Sequence, residues 1–219
     1  MSEANRTVIA IDGPAASGKS TVARLLARKI GFVYVNSGAM YRAVTWHVLQ
    51  HGIPATDAEQ VTALLEKMRV ECGLDGRESI IRIDGVDPAS CLNNESVNRN
   101  VSNIAAIQPV RTLLVALQRE YATQTDLVME GRDIGSAVFP HTPYKFYIDA
   151  SLEVRARRRS RQGLKDEIGA RDKIDSTRRA SPLVIAEDAH VIDSSNLTVD
   201  GVVGEIIGRL KLKGLKIDA

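Results

Sequence analysis

Short apolar runs recur along the chain, separated by stretches whose apolar residues return with helical period. Residues 7–12, 32–35 (Phe-Val-Tyr-Val), 127–130 (Leu-Val-Met-Glu), 144–149 (Tyr-Lys-Phe-Tyr-Ile-Asp) and 190–193 (His-Val-Ile-Asp) read as strands. After the first run, Ser20 to Ile30 places Val22, Leu25, Leu26 and Ile30 on one helical face. Strands buried on both sides and separated by helices predict an α/β fold with a parallel sheet of five strands flanked by helices. The last helix starts near 199, with Val199, Val202, Val203, Ile206, Ile207 and Leu210 as its apolar stripe and Thr198 as N-cap. Gly201, Gly204 and Gly208 each cost that helix about 1 kcal/mol against alanine, so packing on the sheet must hold it.

Residues 36–110 break the alternation. Gly38 to Gln50 has helical character, and Thr56-Asp57-Ala58-Glu59 resembles a capping box opening a helix to about 67. Residues 69–72 and 79–83 then read as two short strands around an Asp75-Gly76 turn, with a third short strand at Val86. The expected product is a small antiparallel sheet inserted in a helical lobe. Pro109 suits the first turn of a further helix carrying Val110, Leu113, Leu114, Leu117 and Tyr121.

At 219 residues the chain suits one domain, 1–219, with an adequate core. A net charge of +2 gives no support to a general nucleic-acid or membrane-surface role. Cys72 and Cys91 are too few for a disulfide framework and lack metal-binding spacing, and the histidines at 47, 51, 141 and 190 form no ligand cluster. No signal-peptide pattern and no long apolar run is present, which leaves the cytoplasm as the expected compartment.

Chemistry concentrates in four places. Gly13-Pro14-Ala15-Ala16-Ser17-Gly18-Lys19-Ser20 fits G-x-x-x-x-G-K-[ST] between a strand and a helix. Such a loop curls backbone N–H groups around a phosphate at a helix N-terminus, while Lys19 reaches the β- and γ-phosphates and Ser20 joins Mg²⁺. This predicts binding of a nucleoside triphosphate. Glu130-Gly131-Arg132-Asp133 ends a core strand on the edge where open parallel sheets bind ligands. There Glu130 suits the water shell of Mg²⁺ and Arg132 suits a second phosphate. Asn36-Ser37-Gly38-Ala39-Met40-Tyr41-Arg42 is another strand end, with Arg42 one turn inside a helix. Lastly, Arg155, Arg157, Arg158, Arg159 and Arg161 crowd a helix that Ser151 caps, and Arg171, Arg178 and Arg179 follow. A lid closing on the phosphates, with Arg157, Arg158, Arg161 and Arg171 neutralising the transferring group, is one reading. A solvated basic face and a nucleic-acid patch are the others, though no aromatic residues are interleaved for base stacking.

These motifs, with Thr21 closing the first, Gly131-Arg132-Asp133-Ile134-Gly135, Val138-Phe139-Pro140 and Ala180-Ser181-Pro182-Leu183, resemble the bacterial cytidylate kinase family from end to end. The resemblance implies a P-loop kinase in which residues 1–35, 111–152 and 172–219 form the core. Residues 36–110 would form a monophosphate-binding lobe with an antiparallel insert, and 153–171 an arginine-rich lid. It implies ATP as donor with Mg²⁺, and CMP and dCMP as acceptors. Gly13, Pro14, Ala15, Ala16, Ser17, Gly18, Lys19, Ser20 and Thr21 would then hold the ATP phosphates, with Ser20 and Glu130 (through water) serving the metal. Ser37, Arg42 and Arg132 would hold the acceptor phosphate. Ser102, Arg111, Asp133 and Arg178 would read the cytosine edge, and Arg171 and Asp175 the ribose. Lys19, Arg132, Arg157, Arg161 and Arg171 would carry the transfer itself. Asn36 stands where the family usually has aspartate, and the stretch from Arg159 to Arg171 is shorter than in some relatives. A monomer without nucleic-acid or membrane partners is the expected state. The remaining alternatives are a P-loop kinase for another small acceptor and a nucleotide-dependent RNA-binding module.

Overall fold

The structure is a computed structural model in which residues 6–161, 168–178 and 181–217 are described, except for the side chain of Arg171. Five strands form the parallel core: β1 (Val8–Asp12), β2 (Val33–Asn36), β5 (Leu127–Gly131), β6 (Tyr144–Asp149) and β7 (His190–Asp193). Two further strands, β3 (Val70–Asp75) and β4 (Glu78–Ile83), make an antiparallel hairpin, and the whole sheet runs β3-β4-β2-β5-β1-β6-β7. The hairpin was expected as a separate small sheet within a helical lobe; instead it extends the core sheet. β4 meets β2 in parallel at a single registered pair, Tyr34 with Glu78, and the Tyr34 N–H donates to the Arg77 carbonyl at 2.8 Å. The edge of β2 has ladder groups to satisfy, and the hairpin is the nearest partner. Val86 makes only a bridge to Ile83 across the tight turn at Asp84 and Gly85, so no third strand forms.

Every residue of β1 is buried, as in a strand covered on both faces. Val8 and Ala10 point with Val33, Val35, Leu127 and Met129 into one core layer. Helices α2 (Ser37–Gln50), α4 (Glu95–Ala106) and α5 (Gln108–Gln124) cover that layer. Ile9 and Ile11 point the other way, with Val128, Phe146 and Ile148, against α1 (Lys19–Ile30) and α8 (Val199–Leu212). The period-2 alternation of each strand thus feeds two cores at once.

Helix boundaries follow local chemistry. Asn36 Oδ1 accepts from the Ala39 N–H at 3.0 Å and caps α2. Asp57, not Thr56, caps α3 (Ala58–Leu65), accepting from the Gln60 N–H at 3.0 Å, so the reading of a box at Thr56 was one residue early. Pro109 occupies the first turn of α5, and Ser151 Oγ accepts from Val154 N–H at the start of α6 (Leu152–Arg161). The segment after α6 includes α7 (Ile168–Thr177).

Thr198 caps α8 through the Gly201 N–H at 3.1 Å. Val202, Val203, Ile206 and Leu210 are buried beneath it, while Val199, assigned to the same stripe from sequence, stays 38% exposed. Gly204 and Gly208 lie on the outer face, and a Cβ at either meets nothing within 4 Å. Their backbone entropy therefore weakens the helix without serving any close contact. Replacing both with alanine should raise unfolding free energy by roughly 1 kcal/mol per site, read as a higher urea midpoint at unchanged m-value.

Candidate active site

The carboxyl ends of β1, β2 and β5 open into one cleft of about 470 Å³. Its floor is the loop that follows β1. Gly13 has φ +154°, and a Cβ there would stand 2.1 Å from the Ile148 carbonyl oxygen, so no side chain fits. Gly18, at φ +93°, ends the loop and starts α1. Ala15 through Thr21 line the cleft, and Lys19 Nζ donates to the Pro14 carbonyl at 3.0 Å. Gly13 and Pro14 lie beneath, shaping the loop.

On the opposite wall Glu130 is buried at the end of β5. Its Oε1 accepts from Ser20 Oγ at 2.8 Å and faces the Tyr34 hydroxyl at 3.4 Å. Ser37 Oγ donates to the Glu130 carbonyl at 2.6 Å, across Gly131, where any Cβ would stand 2.6 Å from that same hydroxyl oxygen. The Arg42 guanidinium lies along Gly38 and lines the cleft.

Beyond them lies a buried lattice of charges. Arg111 donates to Asp133 Oδ2, and Arg178 Nη2 stands 3.3 Å from Asp133 Oδ1. Asp175 accepts from Ser102 Oγ at 3.0 Å and from Arg132 Nε at 2.9 Å, with Arg178 Nη1 at 3.9 Å. Burial opposes the charge on Asp175, but Arg132 and Arg178 outweigh it and hold its carboxyl below the usual range. Arg132 feels the same opposition, and Asp175 turns the balance so that its pKa rises. Around Arg178 burial prevails over Asp133 and lowers the pKa. Its Nη2, though ion-paired with Asp133, makes no hydrogen bond to any described residue. Burial also pushes Tyr41, beneath the Arg111 guanidinium, up to about 12.

The arginines of α6 part company. Arg158 and Arg161 line the cleft, and Arg158 donates to the Ser17 carbonyl at 3.0 Å and the Ser194 carbonyl at 2.8 Å. Arg157 instead faces outward, paired with Glu153 at 2.8 Å one helical turn away, with its side chain 61% exposed. It does not line the cleft, because five arginines on consecutive turns cannot share one helix face. The side chain of Arg171, the middle of the expected lid at 162–167, Arg179 and the Ala180 that opens Ala-Ser-Pro-Leu lie outside the described residues.

Some groups at the cleft were not singled out from sequence. Asp12 ends β1 and is buried; its carboxylate accepts from the Ile134 N–H at 2.8 Å and the Gly135 N–H at 2.7 Å. That clamps the phosphate-loop strand to the π-helical turn Ile134–Val138, just after Arg132 and Asp133. The strand-end argument that identified Glu130 applies equally to Asp12. Ser194, Leu197, Thr198 and Val199 form the far rim beside the phosphate loop, and Arg155 and Asp172 hold the loop's underside. Among the described residues no cluster of three or more His, Cys, Asp or Glu side chains is arranged to hold a metal, and no helix is long and apolar enough to cross a membrane.

A family model described as cytidylate kinase matches residues 9–212. The chain belongs to the cytidylate kinase family. A protein named cytidylate kinase from Clostridium botulinum (strain Langeland) is 42% identical over 214 residues, covering 93% of this chain and 97% of the relative. Another of that name from Nocardia farcinica is 39% identical, covering 94% of both. Among solved structures, a gluconokinase from Sinorhizobium meliloti shares the fold, with a TM-score of 0.51 at 12% identity over 96% of this chain and 98% of its own.

Burial raises the pKa of Asp12 to about 7, against the Ile134 and Gly135 N–H groups that favour its charge. A carboxyl with a raised folded pKa contributes stability in its protonated form, lost as pH climbs from the unfolded value near 4 through the folded one. The thermal midpoint of the wild type minus that of Asp12→Asn should therefore fall between about pH 4 and about pH 7 and level off above. A flat difference would mean that Asp12 is ionised in the folded protein throughout.

Proposed function

We propose that this cytidylate kinase family member transfers the γ-phosphoryl group of Mg·ATP to CMP and dCMP, giving CDP or dCDP and ADP. The observation that carries the reading is the buried set of Asp133, Arg178 and Ser102, which line one cleft with the phosphate loop, with Arg111 paired to Asp133 behind the lining. Cytosine presents an exocyclic amine donor beside ring acceptors, and this set offers a carboxylate, a hydroxyl and guanidinium N–H groups. Arg178 Nη2, ion-paired with Asp133 but without a hydrogen bond to a described residue, adds a donor already desolvated. A site built this way rejects a base whose edge does not match, because its polar groups would be left unpaired.

An oxygen of the acceptor phosphate attacks the γ-phosphorus in line, and the bond to the β,γ-bridging oxygen breaks to release ADP. The acceptor oxygen is already anionic near neutral pH, so no dedicated base is required. The chain's task is positioning and charge neutralisation. Lys19 and the loop N–H groups beyond Ala15, whose own N–H is taken by Asp172, serve the donor phosphates; Ser37, Arg42 and Arg132 serve the acceptor phosphate. Arg132, Arg111 and Arg178 outnumber Asp133 and Asp175 in the lattice, so an anionic ligand balances it. Ser20 and Glu130 are hard oxygen donors 2.8 Å apart and suit Mg²⁺, which keeps most of its water and binds mainly through the nucleotide phosphates. Mg²⁺ supplies charge neutralisation on the donor phosphates. Of the α6 arginines, Arg158, Arg159 and Arg161 line the cleft and are available to close over the transfer, whereas the outward Arg157 contributes to the surface.

The test is ADP release from Mg·ATP with CMP, dCMP, UMP, AMP, GMP or no acceptor. Stimulation by CMP and dCMP above the others is the expected result. Equal stimulation by a different monophosphate would reject the cytosine pocket, and none by any acceptor would reject the kinase reading. Lys19→Ala should lower turnover by about 10²-fold or more, on the scale of losing one oxyanion donor, while the circular dichroism spectrum stays unchanged. Near-normal turnover in the folded variant would remove Lys19 from the transfer.

A further inference from the structure

Helix α7 touches both ends of the cleft. Asp175 and Arg178, three residues apart, enter the charge lattice on the acceptor side. Asp172, three residues earlier on the same helix ridge, reaches the phosphate loop instead. Its Oδ1 accepts from the Ala15 N–H at 3.1 Å, and its Oδ2 is paired with Arg155 Nη1. The same Nη1 donates to the Ala15 carbonyl at 3.2 Å, and Arg155 Nε donates to the Ala150 carbonyl at 3.0 Å, beyond the end of β6. Both amide groups of Ala15 are thus held by one ion pair, whose side chains are only 11% and 17% exposed. Neither residue lines the cleft, so the pair grips the loop from behind without competing with a ligand.

We propose that the Asp172–Arg155 pair is a positioning device that couples donor binding to acceptor binding, resting on the function proposed above. A nucleotide in the phosphate loop fixes Ala15, and through Asp172 it fixes the rotation and height of α7. Asp175 and Arg178 then stand in register for the acceptor before it arrives. An acceptor that orders Asp175 and Arg178 acts on Ala15 by the same route in reverse. Whichever ligand binds first meets the cost of ordering α7, and the second binds a helix already in place. By linkage the factor must be equal in both directions.

Calorimetry measures it directly: the affinity of the full chain for Mg·ADP with and without saturating CMP, and for CMP with and without Mg·ADP. In the wild type each ligand should tighten the other by about fivefold or more, the range usual for coupled sites. Asp172→Ala should bring that factor to within twofold of unity while both ligands still bind. Asp172→Asn keeps an acceptor for the Ala15 N–H but loses the charge facing Arg155, and should show an intermediate factor. It also serves if the alanine variant fails to fold. A coupling factor near unity in the wild type, or one left intact in both variants, overturns the proposal. Failure of the wild type to bind CMP at all would overturn the acceptor-site reading, and the coupling with it; binding without coupling overturns the coupling alone.

Discussion

Two carboxylates, Asp133 and Asp175, hold three guanidinium groups out of water, and one side of the cleft depends on that arrangement. Charges buried singly would cost several kcal/mol each, so they persist only with partners in close geometry. Each carboxylate spends both oxygens: Asp133 on Arg111 and Arg178, Asp175 on Ser102 and Arg132. The members come from α4, α5, the end of β5, α7 and the residue just beyond it, which makes the lattice a junction of otherwise separate segments. With three guanidinium groups against two carboxylates, the junction carries an excess of one positive charge.

The parallel sheet determines where that junction can stand. β1, β2 and β5 run in the same direction side by side, so their carboxyl ends bring Asp12, Asn36 and Glu130 to one edge. Each strand end then delivers a different service. β1 leads into the phosphate loop, β2 into the capped start of α2 with Ser37 and Arg42, and β5 into Arg132 and Asp133. The close approach of Ser37 Oγ to Gly131 and the two N–H groups on Asp12 fasten these three ends together. Asparagine at 36 is compatible with that plan, because its amide oxygen caps α2 as a carboxylate would.

Elements whose signal is local were legible in the sequence. The five core strands, the phosphate loop, the Thr198 and Ser151 caps and the hairpin turn at Asp75-Gly76 each depend on residues within a few positions of one another. Helix α4, by contrast, has a polar run, Glu-Ser-Val-Asn-Arg-Asn, in its first half and carried no clear periodic signal, although it buries Asn98 and Ser102. The π-helical turn after Asp133 was equally silent, since it is held by Asp12 and by Arg119 donating to the Ala137 and Val138 carbonyls from far along the chain. Most of the described site residues carried over by family resemblance line one cleft, while Arg157 turns away from it and Gly13, Pro14 and Arg111 lie behind its lining.

The sequence by itself determined the strand-loop-helix of the phosphate-loop pattern and the five core strands, because short-range spacing and hydrophobic period encode them, and its motifs carried the resemblance to the family. Only the tertiary structure decided that the hairpin joins the core sheet, which arginines of α6 face the cleft, and that Asp172 and Arg155 grip the phosphate loop from behind. Those outcomes rest on pairs distant in sequence, such as Tyr34 with Glu78 and Ala15 with Asp172. No local pattern reports such a pair, since each partner alone is an ordinary residue, and its role exists only once the chain has brought the two within a few ångströms.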